Sequence, residues 1–245
     1  HTTVHSPSGH SAFSNATELL YFLKKLRTLS NGKPIGFKIC IGKKQEFVDI
    51  VEAMLATNII PDFITVDGAE GGTGAAPLEF IDYMGMALQD AVVLVNQVLK
   101  DYGLRKDIKI LASGKIISAF DMAKTMALGA DACYSARGMM FALGCIQALQ
   151  CDSGKCPVGI ATQDKSLYKG LDVTDKRVRV ANFHKNTLKA LSEFIGACGY
   201  ENPSEINPDT FFRRINENTN ASFKDIYFSH EEKEKIQLQE KIYLN

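Results

Sequence analysis

The sequence lacks an excess of charge, a membrane-length apolar run and a secretory leader. Its 245 residues include 28 basic and 28 acidic side chains, a balance that gives no electrostatic reason to expect a nucleic-acid or anionic-membrane partner. No apolar run approaches the roughly 20 residues that a membrane span needs. The first residues, HTTVHSPSGHSAF, have neither the basic nor the apolar region of a signal peptide. We therefore expect a globular, cytoplasmic protein.

Cysteine is also scarce, and its distribution is uneven. Six cysteines are too few for a disulfide-rich scaffold of this size. Three of them follow the spacing C-x5-C-x4-C within the stretch GCIQALQCDSGKCPVGIATQD, as Cys145, Cys151 and Cys156. In a reducing compartment such a group is typical of metal-binding or catalytic thiols. The other three lie in apolar or helical contexts, which predict small buried hydrophobic residues. They are Cys40, Cys133 and Cys198.

The middle of the chain alternates two hydrophobic periods. Short β-rich runs predict strands over residues 34–40, 62–66, 107–113 and 131–135. Each run is followed by a helical pattern, over residues 43–58, 88–103, 118–130 and 138–150. A further helix over 15–30 closes the unit that precedes the first strand. Strands that alternate with helices predict βαβ units and a parallel sheet.

The length of these units indicates a barrel. They repeat about every 30 residues, as in an eight-unit (β/α)8 barrel, and no G-x-G-x-x-G follows the first strand to indicate a dinucleotide-binding Rossmann half. We predict that residues 1–200 form about four βα units, the C-terminal half of a (β/α)8 barrel. The chain does not begin with Met, so the other four units are expected before His1 or on a second chain.

The end of the sequence predicts a helical C-terminal tail over residues 201–245. A long amphipathic helix over 175–200 completes the barrel portion, with Gly199 as its stop. A capped short helix is predicted over 201–216, and a charged helix ends the chain, with its charges in solvent.

Loops after the predicted strands carry the candidate binding residues, because (β/α)8 barrels place their chemistry at the C-terminal ends of strands. The second strand is followed by DGAEGGTGAAP, whose glycines allow the backbone to approach a planar ligand closely. A merely flexible loop is the alternative. The candidates in this loop are Asp67, Gly68, Gly71, Gly72, Thr73 and Gly74.

The turns after the third and fourth strands predict a phosphate site. Both are short and lead into helix N-termini, where free N–H groups and the helix dipole favour an anion. Their candidate residues are Ser113, Gly114, Lys115, Ala136, Arg137 and Gly138. In the first strand, Lys38 lies within an otherwise apolar run, where a lysine is costly unless it faces a partner or an anionic ligand. A surface lysine is the alternative.

Four segments together closely resemble the FMN-binding synthase domain of the glutamate synthases, over residues 6–214. They are GFKICIG, DGAEGGTGAAP, ASGKI and GCIQALQCDSGKCPVGIATQD. The resemblance is nearest to the short bacterial-type members that lack the fused glutaminase. It implies FMN at the mouth of the barrel and a [3Fe–4S] cluster in the loop 144–164 after the last strand. The family's spacing C-x5-C-x4-C, followed by P-[VT]-G-[VI]-A-T-Q, matches Cys145, Cys151 and Cys156 one to one.

The resemblance also implies an oxidoreductase that acts on CH–NH2 donors. Electrons from an NAD(P)H-linked flavoprotein subunit or a ferredoxin would reach FMN, which would reduce 2-iminoglutarate, formed from 2-oxoglutarate and ammonia, to glutamate. The backbone from Asp67 to Gly74 would lie along the flavin, and the turns at 114–115 and 136–138 would hold its phosphate. Lys38, the predicted catalytic residue, would face the flavin N1/O2 edge or the substrate carboxylate and stabilise negative charge on the reduced flavin. The N-terminal cysteine of a fused glutaminase is absent, so the chain shows no means of releasing ammonia.

Other interpretations stay open at this point. Three thiolates suit a trinuclear iron–sulfur cluster, since four-iron clusters normally take four cysteines. Zinc would need a fourth ligand, and His184 is beyond the usual spacing of a structural site. Three buried thiols without a metal are a further alternative. For the whole chain, the alternatives are a flavin and iron–sulfur enzyme that acts on another amino or imino acid, a redox-free phosphosugar barrel enzyme, and a non-catalytic scaffold.

Overall fold

The computed structural model describes residues 7, 9–71 and 79–229. Three predicted site residues, Gly72, Thr73 and Gly74, therefore lie outside the described residues. So do residues 230–245, where the sequence predicts the charged last helix. In the described part of the chain, no helix is both long enough and apolar enough to cross a membrane.

Four parallel strands form a sheet in the order β1-β2-β3-β4. In register, Lys38 lies opposite Thr65, Thr65 opposite Leu111, and Leu111 opposite Ala132. The predicted α/β fold with a parallel sheet is therefore confirmed, and the strands agree with the predicted runs to within a few residues. Their bounds are β1 Gly36–Ile39, β2 Phe63–Asp67, β3 Lys109–Ser113 and β4 Ala132–Tyr134.

Helices precede the sheet and follow each strand, and side-chain caps explain where two of them begin. Asn15 accepts a hydrogen bond from the N–H of Glu18, and Ser118 does the same for Asp121. The predicted helix over 138–150 is wrong at its end, because Gly144 adopts a left-handed φ of 104° and terminates it after Leu143. The bounds are α1 Ala16–Leu29, α2 Lys44–Thr57, α3 Leu88–Asp101, α4 Ala119–Ala127 and α5 Ala136–Leu143.

The two faces of the sheet differ. On the helix-covered face, Ile64, Val66 and Ile110 are fully buried and form the centre of the core. On the other face, Lys38 and Tyr134 are exposed. Parallel sheets are normally covered on both faces, so we expect further structure to pack on the second face. This agrees with the predicted half-barrel, which stays a prediction.

Two aspartates tie adjacent strands together at the N-terminal edge of the sheet. Asp62 accepts hydrogen bonds from the Ile35 N–H and from Arg27, both at 2.7 Å. Asp131 accepts a bond from the Ile110 N–H at 2.8 Å. Burial opposes ionisation of Asp62, but the Ile35 N–H and Arg27 outweigh it and lower the pKa of that carboxyl. Both contacts help to set the register of the strands.

The C-terminal part of the described chain differs from the helical tail predicted for it. The last long helix, α7 (Val173–Ala197), ends before Gly199, as predicted, but residues 201–216 do not form an α-helix. Asn202 and Asn207 each cap a single 3-10 turn, and the two strands that follow pair antiparallel as a β-hairpin. The elements are α6 Lys165–Tyr168, α7 Val173–Ala197, β5 Phe212–Asn216, β6 Thr219–Ser222 and α8 Phe223–Tyr227.

Candidate functional site

A cavity of about 470 Å³ lies near the C-terminal ends of β1 and β3 and the start of α5. The fold brings residues from three predicted groups to its wall: the strand lysine, part of the phosphate turns, and the cysteine loop. They are Lys38, Ser113, Ala136, Arg137, Cys145, Cys151 and Cys156. Residues that are far apart in sequence therefore share one cavity.

Lys38 is held by an acidic neighbour. Its Nζ lies 2.8 Å from Oδ2 of Asp67, at the end of the adjacent strand. The lysine side chain is 58% exposed, whereas that of Asp67 is 14% exposed. The other oxygen of Asp67, Oδ1, is buried and has no hydrogen-bond partner among the described residues. A Cβ at Gly71 would overlap this carboxylate, so Gly71 leaves room for Asp67.

The beginning of the glycine-rich loop is packed against α3. The N–H of Gly68 donates to the Ser113 carbonyl at 2.8 Å, and a Cβ at Gly68 would overlap Leu88. The Glu70 carboxylate accepts a hydrogen bond from the Leu88 N–H at 3.0 Å and caps α3. No pattern in the sequence indicates this role of Glu70, since its partner is distant along the chain.

The turn after β3 lies apart from the main cavity. Gly114 and Lys115 have φ values of 150° and 48° and line a separate cavity of about 310 Å³. The Lys115 Nζ lies 2.6 Å from Oδ1 and 2.7 Å from Oδ2 of Asp82. Asp82 was not predicted as a site residue, and no local signal in the sequence marks it.

The turn after β4 divides its candidate residues between two roles. Ser135 makes no capping bond to α5; its hydroxyl donates to the Ile116 carbonyl at 2.8 Å. The first N–H groups of α5 therefore have no side-chain cap, and Arg137 makes no ion pair within the described residues. Gly138, in contrast, is buried, and a Cβ there would lie 2.8 Å from the Phe183 ring. It allows α5 to pack against α7.

The three predicted ligand cysteines differ in environment. Cys145 and Cys151 are partly buried, whereas Cys156 is buried. Burial opposes ionisation of Cys156, but hydrogen bonds from backbone N–H groups lower the pKa of its thiol. The donors belong to Ala161, Ile160, Val158 and Gly159. A sulfur surrounded by N–H groups is suited to carry negative charge, as a metal-bound thiolate does.

The fit of these cysteines to a cluster is chemical rather than geometric. Among the described residues, no group of three or more His, Cys, Asp or Glu side chains is arranged to hold a metal ion. The three thiols supply the right donors, face one cavity and include one stabilised sulfur. They do not form a ready-made ligand set.

The other cysteines follow their prediction in part. Burial raises the pKa of the Cys133 thiol to about 12, as expected of an inert thiol in apolar surroundings. Cys198 is partly buried. Cys40 is exposed rather than buried, because it lies beyond the last residue of β1.

Comparison with known proteins identifies the family. Residues 1–201 match the family model described as a conserved region in glutamate synthase. The chain belongs to the glutamate synthase family. The predicted resemblance is therefore confirmed at the level of the family.

Curated members of the glutamate synthase family are similar over most of the chain. The glutamate synthase large subunit-like protein YerD of Bacillus subtilis is 42% identical over 201 residues, which are 82% of this chain and 38% of YerD. The archaeal glutamate synthase [NADPH] of Methanocaldococcus jannaschii is 37% identical over 195 residues, 79% of this chain and 38% of that protein. The archaeal-type glutamate synthase [NADPH] of Thermotoga maritima is 34% identical over 201 residues, 81% and 38% of the two chains. The chain thus spans about two fifths of the length of these relatives.

Among solved structures, the similarity is more distant. A flavocytochrome b2 with sulfite bound aligns with 76% of the chain and 37% of its own, with a TM-score of 0.43 and 14% identity. A TM-score this low supports no argument about the fold or the ligand.

Proposed function

We propose that the chain is part of a glutamate synthase-type oxidoreductase that binds FMN and a [3Fe–4S] cluster and reduces 2-iminoglutarate to glutamate. The observation that carries the proposal is the common cavity of Lys38, Arg137 and the three cysteines, in a chain of the glutamate synthase family. The proposed enzyme acts on CH–NH2 donors. An NAD(P)H-linked reductant is supported by the two relatives named as NADPH glutamate synthases.

The residues around the cavity suit an anionic flavin nucleotide. The uncapped N–H groups at Ala136 and the guanidinium of Arg137 would hold the phosphate, together with Ser113. Lys38 would place positive charge beside the flavin ring. When bound, FMN supplies the hydride chemistry that no protein side chain provides.

The glycine-rich loop has a more limited role in this proposal. The N–H of Gly68 is already used by Ser113, so close approach of the loop to the flavin would rest on Asp67, Gly71 and the segment 72–74, which includes Gly72, Thr73 and Gly74. Gly114 and Lys115 line the neighbouring cavity and would reach the phosphate only if Lys115 leaves Asp82. Gly138 would contribute only its backbone N–H, since the Phe183 ring leaves no room for a side chain at this position.

The cysteines would hold the cluster, whose chemistry when bound is the transfer of single electrons. Cys156 would be the best prepared ligand, because four N–H groups already lower the pKa of its thiol. Cys145 and Cys151 would complete the set.

Several finer features of the proposal come from the family resemblance. They are the use of 2-oxoglutarate and ammonia, the electron donor (an NAD(P)H-linked flavoprotein subunit or a ferredoxin), the cytoplasmic location, and an upstream half of the barrel on the same or another chain. The division into a barrel portion, 1–200, and a tail, 201–245, is likewise proposed. The open sheet face at Lys38 and Tyr134 supports the missing half.

An absorption spectrum of the purified protein tests the proposal. We expect the two visible bands of a flavin with a broad iron–sulfur shoulder. Flavin bands without the shoulder would contradict the cluster, and a spectrum with neither feature would favour a scaffold. The longest natural product that contains this sequence is the right sample, because a half-barrel would offer only part of a flavin site.

A matched pair of variants then tests the cavity. Arg137→Met should weaken FMN binding at least about tenfold, since a hydrogen bond to a charged group contributes about 1.5–3 kcal/mol. Arg179→Met, on the exposed surface of α7, should leave FMN binding unchanged. Equal affinities of the two variants and the parent would show that the phosphate lies elsewhere.

A further inference from the structure

We propose that Asp67 is a positioning residue that acts through Lys38, and that the two side chains shift the reduction potential of the bound flavin in opposite directions. This inference rests on the proposed function. It assigns to the Asp67 side chain the role of a counter-ion that limits the positive charge which Lys38 presents to the cavity.

Lys38 and Asp67 lie on the same face of the sheet but at different distances from the cavity. Lys38 is opposite Thr65 in the neighbouring strand, and Asp67 lies two residues further on, so both project from the same face. Lys38 lines the cavity, and Asp67 is not among the lining residues. The carboxylate, 14% exposed, therefore lies behind the more exposed ammonium group that it contacts at 2.8 Å.

Within the part of the chain that the structure describes, Lys38 is the cation that balances the negative charge of Asp67. Among the described residues, Asp67 forms an ion pair with Lys38 alone, and its buried Oδ1 has no hydrogen-bond partner. A buried carboxylate that lacks other partners depends strongly on its one cation. Its negative charge therefore reduces the positive potential that Lys38 produces in the cavity.

The neighbouring thiol of Cys40 responds to the same negative charge. Partial burial, followed by the charges of Asp67 and Glu70, raises the pKa of Cys40. This direction agrees with a net negative influence of Asp67 at the C-terminal end of β1. The main support for the inference is the ion pair itself, together with the position of Asp67 behind Lys38.

The direction in which each variant should shift the midpoint potential follows from the charge that appears on the flavin when it is reduced. Reduction adds negative charge to a flavin, and a nearby cation stabilises it, whereas a nearby anion destabilises it. Asp67→Asn keeps the size of the side chain and removes its charge, so the midpoint potential should rise above that of the parent. Lys38→Met removes the cation and should lower the potential.

A redox titration of bound FMN in the parent, Asp67→Asn, Lys38→Met and the double variant tests this inference. The double variant should fall between the two single variants, because both charges are gone. A potential of Asp67→Asn that is equal to or below that of the parent would overturn the inference. If Asp67→Asn alone folds poorly, a double variant with a higher potential than Lys38→Met still supports the inference, and an equal or lower one overturns it.

Thermal unfolding, measured together with the flavin potential, separates this role of Asp67 from a purely structural one. Lys38→Met leaves the Asp67 carboxylate buried without its cation, so it should lower the melting temperature, and the double variant should recover part of that loss. Asp62→Asn is the matched control at the opposite end of β2, where Asp62 pairs with Arg27 at 2.7 Å. It should lower the melting temperature and leave the flavin potential unchanged.

The outcome also distinguishes this inference from the proposed function. A parent protein that binds no FMN would contradict the proposed function, and this inference with it. Bound FMN whose potential does not rise in Asp67→Asn would contradict this inference alone.

Discussion

The Asp82 carboxylate holds the Lys115 ammonium group with both of its oxygens, at 2.6 and 2.7 Å. Both residues have a positive φ, 72° and 48°, although neither is glycine. The contact joins the segment after the glycine-rich loop to the turn after β3. Lys115 would therefore have to exchange one anion for another in order to hold a phosphate group.

Asp82→Asn should strengthen FMN binding by up to about fivefold. The expected size follows from the roughly 0.2–1 kcal/mol that an exposed ion pair contributes, since both side chains of this pair are more than a third exposed. Quenching of FMN fluorescence measures the affinity, and Lys115→Met should weaken it. If Asp82→Asn weakens binding instead, the ion pair supports the loop rather than competing with the phosphate.

Replacing any one of Cys145, Cys151 and Cys156 by Ser should abolish bound iron and leave the protein folded. A [3Fe–4S] cluster has three cysteine ligands, so the loss of any one of them leaves an iron without its thiolate. Iron and sulfide analysis of protein purified under argon is the measurement. Cys198→Ser, a change in a partly buried cysteine outside the cluster loop, should retain iron. Stoichiometric zinc without iron in the parent would contradict the cluster.

Asp121 should give the protein a pH-dependent contribution to stability. Partial burial opposes ionisation of this carboxyl, but the Lys124 side chain and the N–H and hydroxyl of Ser118 lower its pKa to about 2. The folded pKa is thus below the ordinary value of 3.8. The ionised form therefore stabilises the fold above about pH 4, and this contribution disappears as the pH falls towards 2.

Urea unfolding of the parent and Asp121→Asn, compared at several pH values, measures this contribution. Since solvent partly screens this carboxylate, the variant should be less stable by only about 1–2 kcal/mol at neutral pH, and the difference should decrease as the pH falls below 4. A difference that does not change with pH would assign the loss to the capping hydrogen bonds rather than to the charge.

Gly138→Ala should destabilise the contact between α5 and α7. The new Cβ would lie 2.7 Å from the Ser135 hydroxyl and 2.8 Å from the Phe183 ring, and such overpacking costs about 1–3 kcal/mol. Urea unfolding measures the loss, and adding Phe183→Leu should recover part of it. Gly196→Ala, where a Cβ would meet nothing within 4 Å, is the control. Unchanged stability of Gly138→Ala would contradict the tight packing.

The alternation of strands and helices, the parallel sheet and the family were all predictable from the amino-acid sequence. Hydrophobic periodicity reports local backbone geometry, so β1 to β4 and the helices between them were predicted to within a few residues. It failed where a local conformation interrupts a continuing pattern. Gly144 ends α5 in the middle of an apolar run, and the two 3-10 turns before the hairpin resemble the start of a helix.

The three-dimensional fold, in contrast, was needed to show which of the predicted site residues lie together. It placed Lys38, Arg137 and the cysteine loop around one cavity, and it gave Gly68 and Gly138 packing contacts. It also supplied partners that no local pattern indicates: Asp67 for Lys38, Asp82 for Lys115 and Leu88 for Glu70. These contacts depend on strand register and on the packing of helices against the sheet, which bring together residues that are distant in sequence.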